Sequence, residues 1–145
     1  MQQDKPQLPI RIVVMGVPIA KARPRFRRKT GHTYTKKETR VYESKVRDCA
    51  LAVMKNLKLE TIDKACAVSV VAHVPIPSSW SAKKKLRANL QEILPITKPD
   101  GDNYLKSAVD GCSGLIFKDD NLITDWSIKK RYADVPRLEI EVYCV

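Results

Sequence analysis

The chain has 145 residues, with 27 Lys and Arg against 16 Asp and Glu, a formal charge of +11 and a pI near 9.6. That length suits one domain with a real core and no need of disulfide or metal staples. The positive excess favours a polyanionic partner, nucleic acid first and an anionic membrane surface second.

No apolar run approaches the roughly 18 residues of a membrane span, and Met1-Gln-Gln-Asp-Lys lacks the apolar region of a secretory signal. No membrane insertion is expected, and the expected location is cytoplasmic. Cys49, Cys66, Cys112 and Cys144 show no C-x-x-C spacing. They read as small buried residues in a reducing compartment rather than zinc ligands. Repeats, low-complexity tracts and linkers are not evident, so residues 1–145 read as a single domain.

Residues 8–17 alternate imperfectly and are rich in β-branched side chains, which predicts a strand. Pro18 leads into a basic loop, residues 21–35. Its first part, Lys21-Ala-Arg23-Pro-Arg25-Phe26-Arg27-Arg28-Lys29, carries six cations in nine residues around one aromatic. Lys21, Arg23, Arg25, Arg27, Arg28 and Lys29 are candidate phosphate contacts, and Phe26 or Tyr34 can stack on a base. Thr30-Gly31-His32 reads as a turn, with Thr33-Tyr34-Thr35 pairing back as a short strand.

From Lys36 to Leu59 the pattern is helical. Val41, Cys49, Ala52, Val53 and Leu57 form the expected apolar face, and Glu43 and Arg47 the expected i,i+4 pair. Residues 65–74, the most apolar run, predict a buried central strand. Pro75-Ile-Pro77 closes it, and Ser78-Ser79 can cap a helix running through Gln91. That helix carries Lys83, Lys84, Lys85 and Arg87, and serves either as a grip on DNA or as a solvated cationic surface. Trp80, Leu86 and Leu90 are its candidate packing residues.

The acidic region, residues 98–125, stands against this basic background. Six of the ten aspartates, Asp100, Asp102, Asp110, Asp119, Asp120 and Asp125, fall within 26 residues. Crowding acids costs free energy unless something offsets the repulsion, and a hard divalent cation such as Mg²⁺ is the usual offset. Pro99 favours an extended approach, in which Asp100 and Asp102 would share a side. Gly101 allows a close approach or a bend. Asp102 is then the expected helix N-cap, with Asn103 the second candidate. Leu105, Ala108, Val109 and Cys112 supply the helical stripe, which ends near Gly111 or Gly114. Lys106 lies four residues from both Asp102 and Asp110, so all three share one face.

Leu115-Ile-Phe117 forms a short apolar link to the polar corner Asp119-Asp120-Asn121. Residues 122–132 read as a strand, and residues 138–144 alternate cleanly as a closing strand. Helical patterns each followed by strands give an α+β fold, a mixed β-sheet covered by helices.

The pattern Asp100-x-Asp102-Asn103-x-x-Lys106, followed by Asp119-Asp120, resembles the RusA-like Holliday junction resolvases, endodeoxyribonucleases common in phages and prophages. Gly16-Val-Pro18-Ile-Ala-Lys21-Ala-Arg23-Pro24-Arg25-Phe26 and Tyr34-Thr35…Tyr42-Glu43 are similar to that family's N-terminal pattern. The likeness is weakest around residues 77–96. A basic loop with unusually high charge, the Lys83–Arg87 insertion and Gly101 in the variable slot are departures.

The resemblance implies a homodimer that resolves four-way DNA junctions by paired symmetric nicks, in DNA recombination and repair within a bacterial host cell. It implies Asp100, Asp102 and Asp120 as ligands of Mg²⁺, with Mn²⁺ as an alternative. Asp119 is a ligand or a partner of one. Lys106 neutralises the phosphate or orients the attacking water, Asp110 orients Lys106, and Asn103 holds a ligand carboxylate or touches phosphate. Without the resemblance, acids and charge support a metal-dependent nuclease. A metal-independent nucleic-acid-binding module and a flap or fork nuclease are the other readings.

Overall fold

In β1 (Ile10–Met15), Ile10, Ile12 and Val14 are buried while Arg11, Val13 and Met15 are exposed, the period-two signature of a strand with one face on a core. The structure is a computed structural model and describes residues 9–22 and 37–145, together with the backbone of two short strands, Arg25–Phe26 (β2) and Thr33–Tyr34 (β3). The elements that follow are α1 (Lys37–Asn56), β4 (Cys66–Pro75), α2 (Ala82–Asn89) and α3 (Gly101–Cys112). A 3₁₀ turn (Asp120–Leu122), β5 (Ile123–Ala133) and β6 (Arg137–Cys144) complete the chain.

The main sheet has the order β1-β6-β4-β5. β1 and β4 both run antiparallel to β6, while β4 and β5 run parallel, so the sheet is mixed and the fold is α+β as expected. The apolar run predicted as a central strand is β4, flanked on both sides. β2 and β3 pair antiparallel, with Arg25 opposite Tyr34, so the short return strand forms. The turn at residues 30–32, the side chains of Phe26 and Tyr34, and most of the basic loop lie outside the described residues.

α1 and α3 cover one face of the sheet and enclose Ile12, Val14, Val68, Val70, Leu138 and Ile140. On the opposite face Val13, Met15 and Tyr143 are exposed. α3 buries the predicted stripe of Leu105, Ala108, Val109 and Cys112. Gly111 makes its contact with α1 possible: a methyl group there would lie 2.5 Å from Val46 Cγ1. Cys66 and Cys112 are buried, Cys49 and Cys144 half-buried, and all four are free thiols.

Two expectations need correction. α1 packs through Thr39, Tyr42, Val46, Ala50 and Met54, whereas Val41 and Leu57 are 60% and 61% exposed. The stripe that won has the helical spacing i, i+3, i+7, and its small Ala50 lets the helix lie close. α2 is capped by Ser81, whose Oγ accepts from Lys84 N at 3.2 Å, and it is shorter than the predicted run from Ser78 to Gln91. It ends where Gln91 takes a positive φ of 63° and reaches back to the Tyr132 carbonyl.

Candidate active site

The acidic motif stands where α3 begins against the edge strand β5. Lys98 and Pro99 bring the chain in, and Asp100 is the N-cap with extended backbone (φ −67°, ψ 147°). The helix therefore starts earlier than an Asp102 or Asn103 cap would place it. Gly101 explains the shift, because an added methyl would meet Ile128 Cγ1 on β5 at 3.3 Å. Absence of a side chain lets the first helical residue sit on the strand. The extended alternation that would align Asp100 with Asp102 consequently stops at Asp100.

Asp100 makes no side-chain capping bond. Asp102 lies in the first turn, exposed, where the positive end of the helix favours its charge by about 0.3–1 kcal/mol. Among the described residues neither carboxylate has a hydrogen-bond or ion-pair partner. Asn103 contributes its backbone carbonyl to the Lys21 amide at 2.9 Å. Its side chain lines an open hollow of about 560 Å³ with Lys98, Pro99 and Asp100.

The approach to this motif is clamped from β5. Lys130 Nζ donates to the carbonyls of Thr97 at 2.8 Å and Pro99 at 2.9 Å. Sequence reasoning missed this residue; its place in an alternating strand signalled only that it shares a face with Ile128.

Lys106 is exposed and forms no ion pair with Asp102 or Asp110. Asp110 instead accepts from Lys21 Nζ, which also lies 2.9 Å from Glu43 Oε1. The expected Asp110–Lys106 pair is thus replaced by a bridge to the first residue of the basic loop, and Lys106 has no ion-pair partner among the described residues. Glu43 likewise pairs with Lys21 rather than with Arg47, whose guanidinium donates to the Ser113 carbonyl at 3.2 Å.

Lys21, expected as a phosphate contact, is held between two acids. Burial works against its charge, but its bonds to Asp110 and Glu43 prevail and its pKa is raised. Ser107 Oγ donates to the Ile19 carbonyl at 2.8 Å, and Thr39 Oγ1 accepts from Ala22 N at 3.3 Å. The start of the basic loop is therefore fastened to α3 and α1. Arg23, Arg27, Arg28 and Lys29, and the side chain of Arg25, lie outside the described residues.

The second acidic stretch is delivered by the fully buried Ile116 and Phe117. Ile62 N donates to the Ile116 carbonyl at 2.8 Å, and Lys118 N to the Ile62 carbonyl at 2.9 Å. The polar corner follows directly. Asp119 caps the 3₁₀ turn, its Oδ1 accepting from Asp120 N at 2.9 Å. The Asp120 carboxyl has its pKa raised, first by hydrogen bonding with the Asp119 side chain, then by desolvation and by the charges of Asp119 and Asp110.

Carboxylate oxygens that are exposed, unpaired or mutually repelling fit a hard divalent cation chemically. Among the described residues, however, no three His, Cys, Asp or Glu side chains converge closely enough to hold a metal ion. No described helix is long and apolar enough to cross a membrane.

The model of the family described as endodeoxyribonuclease RusA matches residues 15–143, which include both acidic stretches and Lys106. The chain is also similar to an uncharacterized protein, YqaN, of Bacillus subtilis (strain 168). They are 32% identical over 137 residues, covering 92% of this chain and 94% of that protein. The first acidic motif opens α3, the helix to which Lys21 at the root of the basic loop is bound, the family model spans both acidic stretches and the loop, and the chain belongs to the RusA endodeoxyribonuclease family.

Proposed function

We propose that this protein resolves four-way (Holliday) DNA junctions by paired symmetric nicks, hydrolysing phosphodiesters in a Mg²⁺-dependent reaction in the cytoplasm of a bacterial host during recombination or repair. The observation that carries the reading is a set of acids that have no cationic partner among the described residues in a protein of charge +11: Asp100, Asp102 and Asp120, with Lys106, likewise without an ion pair among the described residues, one turn along α3. Asp110, by contrast, is paired with Lys21.

The resemblance puts forward Asp100, Asp102 and Asp120 as the residues that would hold the cation, Mn²⁺ being the alternative ion, although the three do not converge into one ligand group in this structure. A bound cation supplies Lewis acidity and lowers the pKa of a bound water. The chain's own residues do the remaining work. Lys106 presents a positive charge toward a phosphate that is gaining negative charge in the transition state. Asn103 faces the hollow beside Asp100. Asp119 holds the turn that presents Asp120, and Lys130 holds the approach to Asp100.

A homodimer fits a substrate that needs two opposed cuts. Support for it is the exposed sheet face with Val13, Met15 and Tyr143, which a second copy can cover.

The test is an assay of purified protein on a synthetic four-way junction, a flap and a linear duplex, with Mg²⁺, Mn²⁺ or chelator. We expect paired nicks at symmetric positions, confined to the junction and dependent on the metal. Single cuts at flaps would identify a different branched-DNA nuclease. Binding without any cleavage in either metal would return the acids to a structural role.

A further inference from the structure

α2 is held rigidly, yet its outward face does nothing for the fold. Ala88 is its only fully buried residue. The preceding Trp80 packs edge-on against Tyr132 of β5 with ring centroids 5.3 Å apart, and Lys84 Nζ sits 4.0 Å over the indole. Asn89 Nδ2 donates to Asp134 Oδ1 at 3.1 Å, and Gln91 Nε2 to the Tyr132 carbonyl at 3.0 Å. Those contacts fix the inner side of the helix on the edge strand.

The other side carries Lys83, Leu86, Arg87 and Leu90, spaced i, i+3, i+4 and i+7 and so sharing one face. Leu86 and Leu90 are 59% and 61% exposed. A merely solvated helix has no reason to turn its two leucines outward. The charges are equally unhelpful to folding. Lys83, Lys84 and Lys85 occupy the first turn, which holds no acid, so they oppose the helix dipole. Lys83 and Lys85 have no partner among the described residues. Arg87 shares only an exposed pair with Glu92 at 3.2 Å, a contact worth little in water. Residues 78–99 contain five cations against one acid, Glu92.

We propose that the outward face of α2 is a second DNA-binding surface, one that grips a duplex arm flanking the cleaved phosphate. Charge complementarity selects the occupant: a cationic ridge bracketing two leucines suits phosphates on either side of an apolar sugar edge. Position sets the register. Lys130, which clamps the approach to Asp100, and Tyr132, which anchors α2, lie two residues apart on β5, about 7 Å at ~3.3 Å per residue. The rise of a duplex is about 3.4 Å per base pair along its axis, so a duplex arm lying along β5 would advance about two base pairs between the Lys130 clamp and the anchor of α2. The inference deepens the junction-cleaving reading and rests on it.

The experiment measures binding of fluorescently labelled four-way junctions with long or short arms, across a salt series, by anisotropy. The parent should lose affinity when the arms are trimmed. Lys83→Gln/Arg87→Gln should weaken binding to the long-armed junction and flatten its log–log salt slope by about 1.8, from ~0.9 per lost phosphate contact. On short arms it should match the parent. Leu86→Ser/Leu90→Ser should weaken long-arm binding with the slope unchanged. Parental affinity and slope for the charge variant on long arms would overturn the proposal. So would a fall in oligomer mass of the leucine variant in sedimentation, which would make this face a contact between copies. If the parent cuts junctions in Mg²⁺ while the α2 variants bind like it, only this inference fails. If the parent neither binds nor cuts them, the junction-cleaving reading fails as well.

Discussion

The ammonium of Lys21 lies between the carboxylates of Asp110 on α3 and Glu43 on α1, joining the first residue of the basic loop to both helices of the core layer. Together with the backbone bond from Lys21 N to the Asn103 carbonyl, it fixes the loop's root on the helix that carries Asp102 and Lys106. The root of the proposed DNA-binding loop and the candidate catalytic groups thus share one base.

Lys21→Met should therefore act through position rather than charge. We expect a loss of about 1 kcal/mol in stability, since the bridge is partly exposed and solvent screens it. The raised Lys21 pKa sets the sign: the contribution is fully present below the ordinary lysine value of 10.5 and is lost as pH rises through the raised one. Melting curves should show a constant gap from neutral pH to about pH 10, narrowing above it. Junction binding should weaken with little change in salt slope. Neutralising Arg23 and Arg25 together should instead flatten that slope by up to about two units. A slope change of one unit for Lys21→Met would mean that it reaches phosphate.

Gly111→Ala tests the α1–α3 contact. The new methyl would fall 2.5 Å from Val46 Cγ1 and 2.7 Å from its Cβ, so the helices must separate. Overpacking of this kind costs about 1–3 kcal/mol. Val46→Ala in the same chain removes the Cγ1 contact but leaves the Cβ at 2.7 Å, so it should restore only part of the loss, and a double-mutant cycle by denaturant titration measures the coupling. Additive losses would show that the two residues do not meet.

Lys130→Met removes both bonds to the approach segment while keeping the aliphatic stem that lies near Gly101. Asp100 should then be less well placed. A misplacement of about 1 Å can cost on the order of a hundredfold, so we expect nicking to fall ten- to a hundredfold. Junction affinity and melting temperature should change little, and Lys130→Arg should recover part of the rate. Equal losses in affinity and rate would assign Lys130 to the DNA instead.

How much of this was legible depended on whether a signal was local. The stripe Leu105, Ala108, Val109, Cys112 had a single helical reading, and all four are buried. α1 offered two stripes, and in the expected one Val41 and Leu57 face water while Cys49 and Val53 only flank the core, because the sheet selects Tyr42, Val46 and Ala50. Periodicity alone has no access to that choice. Asp102 looked like the cap because caps are recognised by residue type, whereas Gly101 against Ile128 decides where α3 starts. Lys21 read as a phosphate contact because its partners, Glu43 and Asp110, are 22 and 89 residues away. The acidic composition itself was local and plain; which acids remain unpaired was not.

Asp102→Asn separates chemistry from architecture most sharply. The substitution exchanges one oxygen for an amide, removes one charge and keeps nearly the same volume. Asp102 is not the cap of α3, since Asp100 holds that position, and its side chain has no partner among the described residues. The structural cost is therefore confined to the helix dipole, about 0.3–1 kcal/mol, which a melting curve will show as a small shift. Phosphate should be repelled less, so junction affinity should stay level or rise. If Asp102 supplies an anionic oxygen to Mg²⁺, nicking should fall by several orders of magnitude at moderate metal concentration. Lys106→Met gives the contrasting pattern: lower cleavage, slightly weaker binding and an unaltered metal requirement. A variant at Asp102 that binds the junction and nicks it at the parental rate in Mg²⁺ would remove this carboxylate from the chemistry.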